Sequence, residues 1–306
     1  MSLALLCPGQ GAQHPAMFDR VSNLPAARAV LDTASALLGR DVTAAAAADD
    51  RFDNAVAQPL LCAGSLAHWQ GLREQLPPPA LVAGYSIGEL AAQSIAGSFS
   101  ATTCLTLASQ RAQLMDAASP PDAGMQALLG LPRAVVQALC NTHGAYIAIA
   151  NGPDHFILGG HSAALRALAA DAVQQRAEVR VLPVHVPAHT PLLASAADGF
   201  ARVLAQAPLQ APQWPVLAGI DARPVRDRAA LEHTLSAQLA QTIEWAQLMR
   251  QAFERGARVF LQLGPGTALA RMVASAYPCC EVRAVDEFQQ LEGAAAWVHA
   301  ALGRQQ

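Results

Sequence analysis

The sequence predicts an α/β fold, with a large core of hydrolase type into which a small ferredoxin-like unit is inserted. Three stretches carry that expectation. An apolar run from Ala80 to Ala83 enters Gly84-Tyr85-Ser86-Ile87-Gly88 and leaves through an alanine-rich stretch of helical composition, the strand–turn–helix order of a nucleophile elbow. A second strand–turn–helix passage runs from Arg258 to Leu263 into Gly264-Pro265-Gly266-Thr267. Between the two, residues 124–186 read as β-α-β-β-α-β, the ferredoxin-like order. The expected division is a large unit of residues 1–123 and 187–306 and a small unit of residues 124–186, which serves as a lid and docking surface.

The elements follow in order. Leu3 to Cys7 is a buried-strand pattern that ends in Pro8-Gly9-Gln10-Gly11-Ala12-Gln13. The glycines allow close approach of the backbone to a ligand and so expose the Gln10 N–H, although they serve a plain tight turn equally well. Residues 26–38 and 55–76 carry apolar residues at helical spacing, and Pro77-Pro78-Pro79 stops the second of these helices. Ser100 is the N-cap of a helix through Leu105, Leu107, Arg111 and Met115. Within the small unit come a strand from Met125 to Leu129, a helix opening at Pro132, and strands Ala145–Ala150 and His155–Leu158. A helix from Ser162 to Gln175 and a strand from Glu178 to Val184 complete it. Beyond it, a strand near Pro215 to Gly219 precedes a helix from about residue 229 through Gln238 towards Trp245 and Phe253. The Gly264–Thr267 turn is read as structural, because a phosphate loop needs a longer glycine-rich turn and a lysine.

Composition narrows the function. Of 306 residues, 53% are hydrophobic and 14% charged, which suits tightly packed helices and not disorder. No uninterrupted apolar run reaches the roughly 18 residues of a membrane span. The first residues run straight into a turn motif without a positive region, so the expectation is a cytoplasmic protein. A net charge of −3 without a long basic run argues against nucleic acid as a partner. Six cysteines form no C-x-x-C pair and read as structural thiols, with adjacent Cys279 and Cys280 the reactive alternative. The nine histidines lack metal-ligand spacing, so no metal is expected.

Ser86 is the candidate nucleophile: a serine on so sharp a turn needs Gly84 and Gly88 beside it, and the helix that follows aims its N-terminal N–H groups at the site. His189, between Pro187 and Pro191, is the candidate base, downstream of the serine as in hydrolases. No triad acid is evident among Asp116, Asp122, Asp154 and Asp171, and a carbonyl or amide oxygen would orient the imidazole as well. Arg111 would select an acyl group bearing a free acid if it faced inward, whereas most helix arginines are simply solvated.

These pieces in this order resemble the malonyl-CoA:acyl carrier protein transacylase family over nearly the whole chain. The resemblance rests on Pro8 to Gln13, Gly84 to Glu89, Gln110-Arg111 with Met115, Ala150 to Pro153, His189 to Leu192, Gln238 with Trp245, and Leu263 to Gly266. It implies a cytoplasmic acyltransferase with a Ser86–His189 dyad, and malonyl-CoA as substrate. The thiol of an acyl carrier protein's prosthetic group would be the acceptor, and no cofactor would be permanently bound. It further implies that the Gln10 and Ile87 N–H groups hold the oxyanion, that Arg111 clamps the malonyl carboxylate, and that the Gln238 carbonyl orients His189. Tyr85 stands where transacylases of fatty-acid synthesis usually have histidine, and Ala188 where they usually have phenylalanine. With Gln10 to Pro15 and Val186 to Pro191, these residues look most like the epsilon subunit of malonate decarboxylase, whose carrier is a dedicated subunit; a transacylase of fatty-acid or polyketide synthesis is the alternative.

A serine esterase or thioesterase would share the elbow and the histidine but would need an acid and a pocket open to water. A non-catalytic scaffold that docks a carrier would have no use for Ser86, His189 and Arg111 together. Arg176 and Arg180, or Arg223, Arg226 and Arg228, would supply a basic patch for an acidic carrier, or are solvated surface arginines.

Overall fold

The computed structural model describes residues 2–304. Along the chain come β1 (Ser2–Cys7), α1 (Pro25–Leu38), α2 (Val42–Ala47), α3 (Asn54–Leu72), β2 (Leu81–Gly84), α4 (Gly88–Ile95) and α5 (Ala101–Ala118). There follow β3 (Ala123–Leu129), α6 (Arg133–His143), β4 (Tyr146–Ala150), β5 (His155–His161), α7 (Ser162–Gln174) and β6 (Glu178–Val181). The chain ends with α8 (Ala194–Gln206), β7 (Val216–Leu217), β8 (Pro224–Val225), α9 (Arg228–Ala237), α10 (Trp245–Glu254), β9 (Ala257–Gln262), α11 (Ala268–Ala276), β10 (Glu281–Ala284) and α12 (Leu291–Arg304).

Two sheets organise these elements. The larger has the order β10-β9-β1-β2-β7-β8, with β7–β8 its antiparallel pair and the other pairings parallel. Parallel strands need crossovers, and the helices that supply them cover both faces. That is why β1 is apolar without alternation: Leu3 to Cys7 are all buried, as are Val259 to Leu261 of β9.

Register positions the site. Cys7 pairs with Gly84, and Leu6 pairs with both Ala83 and Gln262. The turns after β1, β2 and β9 therefore emerge side by side at the carboxyl edge of the sheet, where ligands bind in open α/β sheets.

The smaller sheet, of order β4-β5-β3-β6, is antiparallel throughout. It is built from the β-α-β-β-α-β order. Strand alternation divides its residues between two cores. Leu128, Phe156 and Leu158 pack with Val136, Leu139 and Leu168 of α6 and α7, whereas Met125, Ala127 and Ile157 turn towards the main core.

Between residues 229 and 253 the structure differs from the expectation. The sequence pattern predicts one helix through Gln238, and two are present, separated by residues 238–244. The interruption is tertiary in origin. Ile243 donates to the Ala148 carbonyl at 2.9 Å and accepts from the Ala150 N–H at 2.8 Å, extending the edge of β4. Thr242 Oγ1 donates to the Ile147 carbonyl at 2.7 Å, and Glu244 accepts from both terminal guanidinium nitrogens of Arg133. β-Branched Thr242 and Ile243 fit such an edge better than a helix interior.

Among the described residues no helix is long and apolar enough to cross a membrane. The six thiols are unbridged; Cys7, Cys62, Cys104 and Cys140 are buried, and Cys279 is exposed.

Candidate active site

Ser86 follows β2 with φ 56°, a left-handed conformation that L-residues seldom adopt outside constrained turns. The neighbouring glycines make it possible. A Cβ on Gly84 would lie 2.2 Å from the Glu89 nitrogen, and one on Gly88 would lie 2.2 Å from the Cys7 carbonyl oxygen. α4 thus folds back against β1 and β2 with no room for a side chain at either position.

Gln10 and Ile87 occupy equivalent places, each three residues beyond paired Cys7 and Gly84. Tyr85 N–H donates to the Cys7 carbonyl at 2.9 Å and ties the two turns together. The N–H groups of Gln10 and Ile87 have no hydrogen-bond partner among the described residues. The Gly9 and Ser86 N–H groups in the same two turns are likewise without a partner among the described residues.

His189 arrives from the chain returning out of the small sheet, also left-handed at φ 62°. Its N–H donates to the Leu239 carbonyl at 2.9 Å, and Thr190 Oγ1 donates to the Pro187 carbonyl at 2.7 Å. The ring is held at both nitrogens. Nδ1–H donates to the Gln238 carbonyl at 2.5 Å, and because a carbonyl only accepts, Nε2 is left to accept from Ser86 Oγ at 2.7 Å. The helix break described above frees that carbonyl: Gln238 caps α9, and a last-turn carbonyl has no donor four residues on. Burial, and after it the charge of Arg111, pulls the His189 pKa down to about 3 against the opposing bond to Gln238. The imidazole is therefore neutral at physiological pH and free to accept a proton.

Arg111, on α5, faces inward and is only 1% exposed. Nη2 lies 3.5 Å from Ser86 Oγ, and Nη1 donates to Gln58 Oε1 at 2.8 Å. Gln58 Nε2 donates in turn to Asn54 Oδ1 at 2.5 Å, which also accepts from Gln10 Nε2 at 3.4 Å. Asn54 donates to Asp116 Oδ1 at 2.9 Å and to the Ala112 carbonyl at 3.2 Å. A chain of amides thus aims the guanidinium, and no carboxylate touches it among the described residues. Burial lowers its pKa to about 10, so it stays charged at neutral pH. A buried, uncompensated cation beside a nucleophile is built to receive an anion.

Sequence reasoning misses Gln58 and Asn54. A signal is there to find: Gln58 is a polar residue opening the apolar run Pro59-Leu60-Leu61-Cys62. Of the four aspartates named as triad members, Asp154 is exposed in the turn between β4 and β5, and the other three have other side-chain partners. Asp116 accepts from Asn54, Asp122 pairs with His161 and Asp171 with His143.

Two depressions flank the dyad. One of about 400 Å³ is lined by Gln10, Tyr85, Gly266 and Arg271, and the other, of about 420 Å³, by His189, Tyr146, Gln241 and Glu244. Tyr85 spans this region, donating to Asn151 Oδ1, just after β4, at 3.1 Å and standing edge-on to Trp245 at 5.2 Å. Larger depressions between α5 and α8 and beside Trp69 and Trp214 lie away from the dyad.

The arrangement brings together a serine hydroxyl bonded to a neutral imidazole of fixed tautomer, unpaired backbone N–H groups and a buried guanidinium, the groups that nucleophilic catalysis on an anionic substrate calls for. The acyl transferase domain family matches residues 4–290. A malonyl CoA-acyl carrier protein transacylase of Salmonella typhimurium is 30% identical over 302 residues, covering 95% of this chain and 98% of that protein. The solved malonyl CoA-acyl carrier protein transacylase of Coxiella burnetii superposes with a TM-score of 0.93 at 26% identity, over 98% of both chains. A malonyl-transacylase solved with its type II polyketide synthase acyl-carrier protein gives 0.92 at 26% identity, over 97% of this chain and 99% of the other.

Proposed function

The chain belongs to the acyl transferase domain family, and from its site we propose that it transfers a malonyl group from malonyl-CoA to the thiol of an acyl carrier protein through a malonyl-Ser86 intermediate. The observation that carries this reading is Arg111: a buried guanidinium, bonded to no carboxylate among the described residues, with Nη2 3.5 Å from Ser86 Oγ.

Ser86 Oγ attacks the thioester carbonyl carbon while His189 Nε2 takes its proton. The oxyanion that forms is held by the N–H groups of Gln10 and Ile87. Collapse expels the coenzyme A thiolate, which takes the proton back from His189. In the second half the carrier thiol loses its proton to His189 and attacks the ester carbonyl; Ser86 Oγ leaves and is reprotonated. Gln238 holds the imidazole in one tautomer throughout, and Arg111 pairs with the malonyl carboxylate in both halves.

We place the inserted ferredoxin-like subdomain at residues 124–186, supported by its separate sheet and core. Of the two pathways considered, the similar proteins favour a transacylase of fatty-acid or polyketide synthesis over a malonate decarboxylase subunit. Tyr85 and Ala188 remain the residues that favour the decarboxylase carrier as an acceptor. Among the arginines considered for carrier docking, Arg180 and Arg228 are paired with Glu178 and Glu232, which weakens both patches.

The test is a covalent one. Purified protein is mixed with malonyl-CoA or acetyl-CoA, and the adduct is located by peptide mass spectrometry, followed by chase with a fatty-acid-type or a decarboxylase-type holo-carrier. A malonyl group on Ser86, absent in Ser86→Ala and discharged by the first carrier, is the expected result. No adduct on folded protein would refute the transferase reading.

A further inference from the structure

Beneath the dyad lies a carboxyl group that the transfer mechanism leaves unused. Glu89, in the first turn of α4, is 0% exposed, and Gln238 beside it is 1% exposed. Glu89 Oε2 accepts from the Gly219 N–H at 3.0 Å and from Gln238 Nε2 at 3.1 Å. The other oxygen of each side chain, Glu89 Oε1 and Gln238 Oε1, is buried without a hydrogen-bond partner. No cationic side chain forms an ion pair with Glu89 among the described residues.

An ionised carboxylate there would be buried without an ion-pair partner among the described residues and would leave two acceptors of one contacting pair unsatisfied, each carrying the full desolvation cost of an unpaired buried group. A single proton resolves both. We propose that Glu89 is held as a neutral carboxylic acid that donates from Oε1 to Gln238 Oε1 while accepting from Gln238 Nε2, and so positions the residue whose carbonyl holds His189.

The electrostatics agree. Burial raises the Glu89 pKa to about 8; the Gly219 N–H and the charge of Arg111 on α5 act against this rise, and Asp221 beyond β7 reinforces it. The acid is therefore mostly protonated at neutral pH. Ionisation above that range sets a negative charge against Gln238 Oε1 and opposes the pull of Arg111 on an incoming carboxylate. Glu89 touches no reacting atom; it acts through Gln238 and is a positioning residue.

The kinetic part rests on the malonyl transfer proposed above, and the spectroscopic part does not. An infrared difference spectrum of wild type minus Glu89→Gln at pH 7 is expected to show the C=O stretch of a protonated carboxyl group, replaced by carboxylate bands as the pH passes about 8. An amide at this position supplies an N–H where the acid had an O–H. Glu89→Gln is therefore expected to keep transfer at pH 7 within about threefold of wild type and to lose the alkaline fall in kcat/KM, while Glu89→Ala lowers kcat about tenfold or more. Carboxylate bands alone at pH 7, or a Glu89→Gln variant as impaired as Glu89→Ala, would overturn the assignment. A wild type that forms no malonyl-serine would refute the transfer reading, with the infrared band still deciding the state of Glu89.

Discussion

Replacing Arg111 by methionine separates the contribution of its charge to chemistry from its contribution to folding. In the folded chain the guanidinium is buried, bonded to Gln58 Oε1 at 2.8 Å and to no carboxylate among the described residues. Removing a buried charge relieves its desolvation cost, and even buried ion pairs replaced by apolar residues of similar volume are often neutral or stabilised by about 1–4 kcal/mol. Against this, Gln58 Oε1 loses its donor, which costs about 1–3 kcal/mol. The two offset, so Arg111→Met is expected to melt within roughly 5 °C of wild type. Malonyl transfer has no such offset. The substrate carboxylate enters the same buried place without its partner, at a cost of about 2–5 kcal/mol, or roughly 30- to 4,000-fold in kcat/KM. Acetyl-CoA carries no carboxylate, so its slower reaction is not diminished and the preference for malonyl collapses. The assay is single-turnover acylation of Ser86 by both thioesters, beside a thermal melt. Equal losses with malonyl and acetyl, at unchanged stability, would show that Arg111 serves the dyad and not the carboxylate.

Other outcomes follow from the same geometry. Gln58→Leu leaves the charge of Arg111 but removes its aiming partner, so KM for malonyl-CoA rises about tenfold with kcat less affected, measured by steady-state transfer. Gly88→Ala drives a Cβ to within 2.2 Å of the Cys7 carbonyl oxygen and is expected to cost more than about 3 kcal/mol in urea denaturation or to prevent folding. With the His189 pKa at about 3, kcat/KM for acylation stays flat as the pH falls from 7 to 5, below the range in which Glu89 ionises; a fall centred near the ordinary histidine value of 6.5 would contradict its burial. In unfolding, His189 and His68, at about 3 and 4, bind protons only once unfolded as the pH drops below 6.5, so stability declines across that window in acid melts. Glu89 has the opposite sign: its raised pKa makes the folded state bind the extra proton between about 4.5 and 8, so stability falls as pH rises through that window, and Glu89→Gln abolishes this component.

Local chemistry determines what can be read from the residues alone. Gly84-Tyr85-Ser86-Ile87-Gly88 between an apolar run and an alanine-rich stretch permits few backbone paths, so the elbow and its serine are legible from a dozen neighbouring residues. The strands of the small sheet and the Ser100 cap, which accepts from the Thr103 N–H at 3.1 Å, are equally local, whereas α3 ends at Leu72, short of the Leu76 end expected ahead of Pro77. Residues 42–47, 194–206 and 281–304, which form α2, α8, β10 and α12, are not legible in this way, since short or alanine-rich segments signal little about the partner that orders them. The site's finer logic is non-local. Arg111 meets Gln58 across 53 residues, and His189 meets the Gln238 carbonyl across 49. The helix that propensity would carry through Gln238 is broken by pairing with the edge of β4, roughly 90 residues upstream. Sequence determined which groups could act, because a turn or a cap is set within a few residues. Tertiary structure decided which of them are buried, paired or left charged, because burial and hydrogen bonding depend on segments that only the folded chain brings together.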